Sequence, residues 1–494
     1  MQSNSTHNRR FITEVYPTLR IRLAISFAFL LSSILIIAAA LGDLWLDEIW
    51  SLSFVRASHS VTDLFIHFRH DNNHLLNTLF LYCLGERKTL FTYRLFAVFS
   101  GICSVFLIGY IGRRNWGYPE ALCSIVLTGT SYPLLLYFSE ARGYSPAILF
   151  ALLSYIALRQ NSQEFRLGRL VFFWAASILG MLSHLTFFMV TMSLFIGSVA
   201  HELCVGGSFR RKTLRLMVHH VPPFAFFAWW YIFFVRGMVI GGGPIYEKWD
   251  VISRASALLL GFPEMPGFLG SAVVAVAVLV ALGANSLRQA HDTLWLFFPA
   301  LLLFSPALFV VVTNPEYLYF RYFIVCYPFF YLLLSHLTCK WYRACSVRWR
   351  WLLIVVVAML IAGQAHRVYP LLKLGRGSYA AALIRISENS AGGTVRVGSD
   401  HDFRNRVLFD FYAPLIGAES KLVYVEQGSW LLQPPDWILT HSQDLSYQPP
   451  RELAVANVGR YRLIDKYRFS DISGWNWFLF RRETLKDDDK GGGR

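Results

Sequence analysis

Charged residues are scarce in this sequence. Asp, Glu, Lys and Arg make up 16% of the 494 residues, whereas soluble domains carry about 25%. Because hydrophobic residues make up 55%, most of the chain is predicted to cross a bilayer rather than to form several soluble domains. The formal net charge of +15 lies in short loops between apolar runs. That distribution indicates membrane topology and argues against nucleic-acid binding, which gathers basic residues on one surface.

The sequence also lacks the motifs of several site classes. It contains no GxGxxG, P-loop or HExxH pattern. None of its seven cysteines lies beyond residue 345, and none belongs to a CxxC or Cys/His zinc pattern. The C-terminal part therefore has no disulfide framework, and no motif points to a bound nucleotide or a structural zinc ion.

Long apolar runs are what the sequence has instead. A membrane helix needs about 20 mostly apolar residues, and eleven segments approach that length: residues 23–42, 95–112, 120–138, 144–158, 170–183, 185–201, 218–235, 267–284, 293–312, 322–338 and 351–366. If the N-terminus lies inside, alternation places most of the Arg and Lys residues before residue 367 in inside segments, as the positive-inside rule predicts. We therefore predict a polytopic α-helical membrane protein with about 11 transmembrane helices, its N-terminus inside and its C-terminus outside.

The chain is predicted to divide into a membrane part and a small soluble part. Residues 1–366 form the predicted transmembrane domain, with a long first outer loop at 43–94. Residues 367–485 alternate short β-rich runs (394–398, 421–426, 437–440 and 476–481) with helix-like stretches (379–389 and 403–412), which predicts an extracytoplasmic α/β domain. Residues 486–494 are predicted to be a solvated tail.

Several polar residues fall on the predicted outer face. The topology places these segments there: those around Asp47, Asp71, Glu140, His184, Glu247 and Arg321. Asp47 and Glu48 directly follow the first apolar run. They are either part of an interfacial loop between two tryptophans or functional acids held near the bilayer, where acids are costly. Both interpretations remain open at this stage.

A tight turn and a later arginine carry further charge. Glu140 and Arg142 lie between two apolar segments, either as an ion pair at a helix end or facing a common cleft. Arg321 precedes the tenth apolar segment, either as an interfacial anchor or as a phosphate ligand. An arginine suits a phosphate because its guanidinium donates two hydrogen bonds at once.

Two histidines lie near the same face. Asp71 and His74 come just before an amphipathic stretch, where Asp and Asn are typical helix caps. His74 could alternatively bind a metal ion or a sugar hydroxyl. His184 lies at a helix break, and a lone histidine in such a place is more often structural.

Together these residues resemble the membrane glycosyltransferases of the GT-C fold, in particular bacterial relatives of protein O-mannosyltransferases and of the lipid A aminoarabinose transferase. The resemblance spans about residues 20–340 and rests on the order of these motifs: Asp47-Glu48, Asn73-His74-Leu75, Tyr93-Arg94, Glu140-Ala-Arg142-Gly-Tyr144 and Arg321-Tyr322. The sequence departs from the family where two prolines follow the histidine, because Leu75 and Leu76 stand there.

The resemblance implies transfer of a sugar from a polyprenyl-phosphate donor to an acceptor hydroxyl on the extracytoplasmic face, with inversion at the anomeric carbon. Asp47 would be the general base, and Glu48 would orient it or bind acceptor. Arg142 and Arg321 would bind the donor phosphate. The residues implied in sugar or acceptor binding are Glu140, His74, Asp71, Arg94, Tyr144 and Tyr322. The resemblance requires no resident metal or other cofactor, although a divalent cation at Glu140 is left open.

The expected partners are therefore the lipid-linked sugar, the membrane and an acceptor that is a lipid, a glycan or a protein, with no nucleic acid. The expected location is a bacterial inner membrane, with the N-terminus cytoplasmic and the C-terminal domain periplasmic. The main alternative is a transporter or flippase of a lipid-linked sugar. Transporters place polar groups near the membrane midplane and often contain repeats, whereas here polar residues collect at one face. A surface-polysaccharide polymerase or ligase and a non-enzymatic scaffold are further alternatives.

Overall fold

The computed structural model describes residues 3–390 and 393–483. The predicted tail at 486–494 lies outside these residues. The helices are α1 (Ser3–Ala39), α2 (Leu46–Ala57), α3 (Val61–Ile66), α4 (Leu75–Leu84), α5 (Leu95–Asn115), α6 (Tyr118–Thr130), α7 (Tyr132–Phe138), α8 (Tyr144–Gln163), α9 (Leu167–Ser183), α10 (Phe187–Cys204), α11 (Phe209–Phe233), α12 (Lys248–Leu260), α13 (Pro266–Gln289), α14 (Phe297–Pro299), α15 (Ser305–Thr313), α16 (Tyr327–Ala344), α17 (Val347–Leu374), α18 (Tyr379–Glu388) and α19 (Asp402–Leu415). A π-helical segment, Ala300–Phe304, joins α14 to α15.

The apolar runs are helical because a chain inside a bilayer must satisfy its own backbone hydrogen bonds. Within the described part of the chain, seven helices are long and apolar enough to cross a membrane, or eight if the bent pair α6 and α7 is one span. The predicted segments beyond these correspond to α8, α9 and the apolar run Phe297–Thr313. The prediction of a polytopic α-helical membrane protein is confirmed.

The span at residues 118–138 is broken in its middle. Helices α6 and α7 meet at 70°, because Pro133 lacks the N–H that a continuous helix would use and its ring disfavours a helix through the preceding turn. The break is held by side chains from later helices. Gln364 Oε1 accepts a hydrogen bond from the Tyr132 N–H at 2.9 Å, and the Tyr331 hydroxyl donates to Ser131 Oγ at 3.0 Å.

The chain forms two compact units. The first comprises Met1–Ala40, Ser58–Cys83 and Arg94–Val368, and the second comprises Leu41–Ala57, Leu84–Tyr93 and Tyr369–Arg494. The second unit therefore contains α2 in addition to the C-terminal residues. In the division predicted from sequence, α2 belongs to the first outer loop.

The second unit is built on one mixed sheet. Its strands are β1 (Val395–Ser399), β2 (Leu422–Tyr424), β3 (Trp437–Ser442), β4 (Glu452–Val455), β5 (Gly459–Tyr467) and β6 (Asn476–Arg482), in the order β2-β1-β3-β6-β5-β4. Strand β1 is parallel to β2 and β3, and the remaining neighbours are antiparallel. The four strands expected from the sequence are present, so the α/β prediction is confirmed, and β4 and β5 add to it.

Alternate residues of β6 supply a core on each face of this sheet. Phe478 and Phe480 belong to a hydrophobic cluster that also contains Ile438. Trp477 points the other way, and its indole donates to Asn405 Oδ1 of α19 at 2.8 Å. Helix α2 packs in the same unit, where the Trp50 ring lies 5.5 Å from the ring of Phe403.

Candidate functional site

The centre of the candidate site is the turn between α7 and α8. Asn77 of α4 donates to the Ala141 carbonyl in this turn at 2.8 Å. At Gly143, an added Cβ would lie 1.8 Å from the Ser183 carbonyl oxygen and 2.8 Å from His74 Cβ. Only glycine fits this approach, so the turn packs directly against His74 and against the break between α9 and α10.

Arg142 extends from this turn and is almost completely buried. Its Nη2 donates to Asn72 Oδ1 at 3.0 Å, its Nη1 lies 3.9 Å from Glu140 Oε2, and its Cζ is 4.9 Å from the Tyr144 ring centroid. Glu140 is fully buried. Buried charges are tolerated only where they are paired and hydrogen-bonded, and these contacts hold the guanidinium in one orientation.

A group of aromatic rings lies beside Arg142. The His74 and His184 imidazoles are stacked with centroids 4.9 Å apart and an interplanar angle of 23°. The Tyr144 ring is 4.3 Å from His184, and the Tyr322 ring is 6.4 Å from it. The helix break therefore brings His184 to His74, just before α4, and to the Glu140–Tyr144 turn.

Both imidazoles are neutral at ordinary pH. Burial, followed by the charges of Arg142 and Arg321, lowers the pKa of His184 to about 3. Burial, followed by the neighbouring His184, also lowers the pKa of His74 well below its usual value. His184 Nδ1 accepts from the Thr186 backbone N–H at 3.2 Å, which places its proton on Nε2. Among the described residues, the buried His74 Nε2 has no hydrogen-bond partner.

Asp71 joins this group to the loop after α11. Its Oδ1 accepts from the Gly241 N–H at 3.0 Å and lies 2.9 Å from His70 Nδ1. Burial alone would raise the pKa of Asp71. The hydrogen bonds from His70 and Gly241, together with the charge of Arg321, outweigh burial and lower that pKa. Asp71 is therefore an ionised acceptor facing an arginine.

Arg321 lies in the short 3-10 helix Phe320–Cys326 that leads into α16. Its Cζ is 4.3 Å from the Tyr319 ring centroid, a cation–π distance. The Tyr319 hydroxyl donates to the Pro244 carbonyl at 3.3 Å. Because its charge acts on His74, His184 and Asp71, Arg321 lies near the same group of residues as Arg142.

The first unit thus brings together seven of the predicted site residues: Asp71, His74, Glu140, Arg142, Tyr144, Arg321 and Tyr322. Arg94 lies at the start of α5, fully buried, and its Nη1 donates to the Ala40 carbonyl at 2.9 Å. That hydrogen bond joins the start of α5 to the end of α1. A role for Arg94 in sugar or acceptor binding stays a prediction.

Asp47 and Glu48 belong to the second unit, in the first turn of α2. Glu48 is fully buried, and its Oε2 accepts from the Trp45 N–H at 3.2 Å. This is the bond that a glutamate at the third helical position returns to the residue before a helix. Asp47 is half-buried. Acids in a first turn are favoured by the helix macrodipole, so both side chains have a structural reason to be there.

Three neighbours of Arg142 and Arg321 were not predicted from the sequence. The sequence favours a structural role for His184, and its ring stacks on His74. Asn72 holds the guanidinium of Arg142, and Tyr319 lies against Arg321. A histidine at a break between two apolar runs was the signal for the first, whereas the other two depend on packing between distant segments.

Within the described residues, no three His, Cys, Asp or Glu side chains are grouped so as to hold a metal ion. That finding does not address a cation held by Glu140 alone, which stays a prediction.

An apolar cavity of about 320 Å³ lies in the first unit, between α12, α13, α15 and α16. Its lining is almost entirely hydrocarbon and includes Leu259, Val276, Leu303, Pro306, Val310 and Phe323. Phe323 follows Arg321 by two residues in the same 3-10 helix. The cavity therefore reaches the segment that carries one of the two arginines.

Comparison of the sequence finds no match to a protein-family model or to a curated protein. Among solved structures, the chain is similar to ArnT from Cupriavidus metallidurans in the apo state, with a TM-score of 0.52, 14% identity, and coverage of 86% of this chain and 93% of that one. ArnT from the same organism bound to undecaprenyl phosphate aligns with a TM-score of 0.48, 14% identity, and coverage of 95% of this chain and 99% of that one. The fold expected from the sequence motifs is thus confirmed: this is a polytopic helical membrane protein with the GT-C fold of ArnT and a small C-terminal α/β domain.

Proposed function

We propose that this protein is a glycosyltransferase that moves a sugar from a polyprenyl-phosphate donor to an acceptor hydroxyl on the extracytoplasmic face of a bacterial inner membrane. The observation that supports this most strongly is the pair of guanidiniums, Arg142 and Arg321, facing one group of neutral aromatic side chains. The fold shared with ArnT is consistent with it, and the residues themselves carry the chemical argument.

The two arginines would bind the donor phosphate. When the bond between the anomeric carbon and the phosphate oxygen breaks, the lipid phosphate gains negative charge, and fixed cations stabilise it most when they need no reorganisation. Arg142 is already fixed by Asn72 and by its approach to Glu140. Because His74 and His184 are neutral, they add no positive charge of their own beside the phosphate.

Asp47 would act as the general base. In the proposed step it takes the proton of the acceptor hydroxyl while the acceptor oxygen forms a bond to the anomeric carbon. The bond to the phosphate breaks on the opposite side, so the configuration inverts and the polyprenyl phosphate leaves with the electron pair. Glu48, held by the Trp45 N–H, would fix the start of α2 and so the position of Asp47.

The remaining residues would hold the sugar and the acceptor. His74 Nε2 is buried without a hydrogen-bond partner in the described part of the chain, so a sugar hydroxyl is a suitable ligand for it. Tyr144 and Tyr322 offer flat apolar faces beside it. Glu140, Asp71 and Arg94 complete the proposed set, as acceptors and a donor for hydroxyl groups.

The apolar cavity between α12, α13, α15 and α16 would take part of the polyprenyl chain. Its hydrocarbon lining suits an isoprenoid, and Phe323 connects it to Arg321 through the 3-10 helix. A lipid whose phosphate binds Arg321 could therefore place its first isoprene units against this lining.

The test is sugar transfer from radiolabelled polyprenyl-phosphate sugars by purified protein in lipid vesicles. We expect wild type to label an acceptor fraction, Asp47→Asn to lose transfer at least a hundredfold, and Asp410→Asn to match wild type. Asp410 is an exposed acid of α19 in the same unit and is paired with Arg406. Equal transfer by Asp47→Asn would remove Asp47 from the mechanism and leave the transferase assignment standing.

Two further measurements address the remaining parts of the proposal. The anomeric configuration of the product, determined by NMR, tests inversion. If wild type transfers no sugar but moves the lipid-linked sugar between leaflets of the vesicle, the transporter alternative replaces the proposal.

A further inference from the structure

A second cavity lies in the first unit, between the C-terminal ends of α5 and α8. Its lining residues are Tyr110, Ile111, Arg114, Asn115, Tyr155, Ile156, Arg159, Gln160 and Gln163. It measures about 230 Å³ and opens to the exterior. The Glu140–Tyr144 turn begins α8, so Arg159 lies about 22 Å further along the helix at 1.5 Å per residue.

The charge of this cavity is positive. Arg159 is neutralised, because its Nη1 lies 2.9 Å from Asp292 Oδ1. Arg114 is exposed and, within the described part of the chain, forms no ion pair. The lining contains no acidic residue. One guanidinium therefore faces the cavity with its charge uncompensated, which favours an anion with oxygen acceptors.

The other polar lining groups suit hydroxyls. Gln160, Gln163 and Asn115 carry amides, and Tyr110 and Tyr155 carry phenols. The Asn115 Nδ2 atom is buried and makes no well-formed hydrogen bond to any described residue. Neutral amides and phenols bind hydroxyl groups without requiring charge. The set as a whole matches a phosphate ester that also bears hydroxyls.

The outer surface of α5 indicates that such a ligand would come from the bilayer. Phe99, Phe106 and Tyr110 are 63%, 58% and 37% exposed, and their spacing places them on one stripe of the helix. In a membrane helix an exposed aromatic stripe faces lipid. Tyr110 ends this stripe and lines the cavity, so the cavity opens at the level where lipid headgroups lie.

We propose that this cavity binds the headgroup of an anionic phospholipid that carries free hydroxyls, of the phosphatidylglycerol type, in the leaflet opposite the candidate active site. Arg114 would hold the phosphate, and Gln160, Gln163 and Asn115 would hold the glycerol hydroxyls. Basic pockets between membrane helices on the positively charged side are known as anionic-lipid sites. The site is independent of the proposed transferase activity.

The test is retention of phosphatidylglycerol by the purified full-length protein after transfer from mixed phosphatidylglycerol and phosphatidylcholine nanodiscs, measured by native mass spectrometry. We expect Arg114→Gln to lower retention about tenfold, the effect of losing a charge-assisted pair of hydrogen bonds. Arg113→Gln is the matched control: Arg113 adjoins Arg114 but lies over the Tyr118 ring, 4.6 Å from its centroid. We expect that variant to change retention less than twofold. Gln160→Leu is expected to lower the retention of phosphatidylglycerol. The retention of phosphatidic acid, which has no glycerol hydroxyls in its headgroup, should not change.

Three outcomes would overturn the proposal. If Arg114→Gln retains phosphatidylglycerol as well as wild type does, this cavity is not the lipid site. An equal loss with Arg113→Gln would mean that general surface charge, not the cavity, holds the lipid. If soluble glycerol 1-phosphate binds the protein in pure phosphatidylcholine nanodiscs as well as phosphatidylglycerol binds, the ligand is a soluble ester and the lipid assignment is wrong.

Discussion

Replacing Gly143 by alanine adds a single methyl group to the candidate site and changes no charge. The new Cβ would lie 1.8 Å from the Ser183 carbonyl oxygen and 2.8 Å from His74 Cβ. To reach 3.0 Å, the carbonyl alone would have to move by about 1.2 Å. Neither neighbour is the flexible end of a long side chain, so the α9–α10 break or the turn itself must shift.

Such overpacking costs about 1–3 kcal/mol of stability. The activity should fall further, because displacing Arg142 by about 1 Å can cost on the order of a hundredfold in rate.

The matched control is Gly168→Ala in the first turn of α9, where an added Cβ meets nothing within 4 Å. That variant should be neutral or more stable by up to about 1 kcal/mol. For both variants, stability in detergent would be measured by denaturant titration, and sugar transfer would be measured alongside it. If Gly143→Ala behaves like Gly168→Ala, the close packing of the turn described above is wrong.

Three further predictions concern the same site. The pKa of His184 is lowered to about 3, from a usual 6.5, so between these pH values the unfolded chain binds a proton that the folded state does not. The contribution of neutral His184 to stability is therefore complete above pH 6.5 and is lost as the pH falls toward 3. His184→Gln should therefore flatten the rise of unfolding free energy with pH by about 1 kcal/mol per unit in this window, and an unchanged slope would contradict the assignment. Asn77→Ala, which removes the hydrogen bond to the Ala141 carbonyl, should cost about 0.5–1.5 kcal/mol in the same unfolding assay. Arg142→Lys keeps the charge but loses the planar fork that reaches Asn72, so titration with polyprenyl phosphate should show binding about tenfold weaker; equal affinity would show that the charge alone matters.

Much of the membrane part could be predicted from hydropathy, because apolar length and helix formation are coupled inside a bilayer. Hydropathy does not detect a bend, however, and predicts one span at residues 120–138 although the chain breaks there before Pro133. Helix α2 was missed because Leu46–Ala57 is short and mixes acidic, apolar and basic residues. The sequence does not predict β5 because charged residues such as Arg460 and Arg462 alternate along it, nor β4, which has only four residues and lies at the edge of the sheet.

The candidate site was predictable only in part. The order of the charged residues, together with the topology, was enough to expect Glu140, Arg142 and Arg321 on one face. The partners that orient them depend on contacts between segments far apart in the chain, such as that of Asn72 with Arg142, and sequence spacing does not report such contacts. His184 shows the same limit, since its role depends on the ring of His74 stacked against it.

The bend between α6 and α7 has a consequence for biosynthesis. The Tyr132 N–H that it exposes is satisfied by Gln364, which also donates to the Leu258 carbonyl at 2.7 Å. A backbone group left unsatisfied in hydrocarbon costs several kcal/mol, yet the ribosome adds more than two hundred residues between Tyr132 and its partner. Until α17 is inserted, this region of the nascent chain therefore lacks the Gln364 side chain that accepts from the Tyr132 N–H in the folded protein. A chain truncated before residue 364 would keep every residue of the first unit's candidate site. It would still lack the Gln364 side chain that holds the bend between α6 and α7.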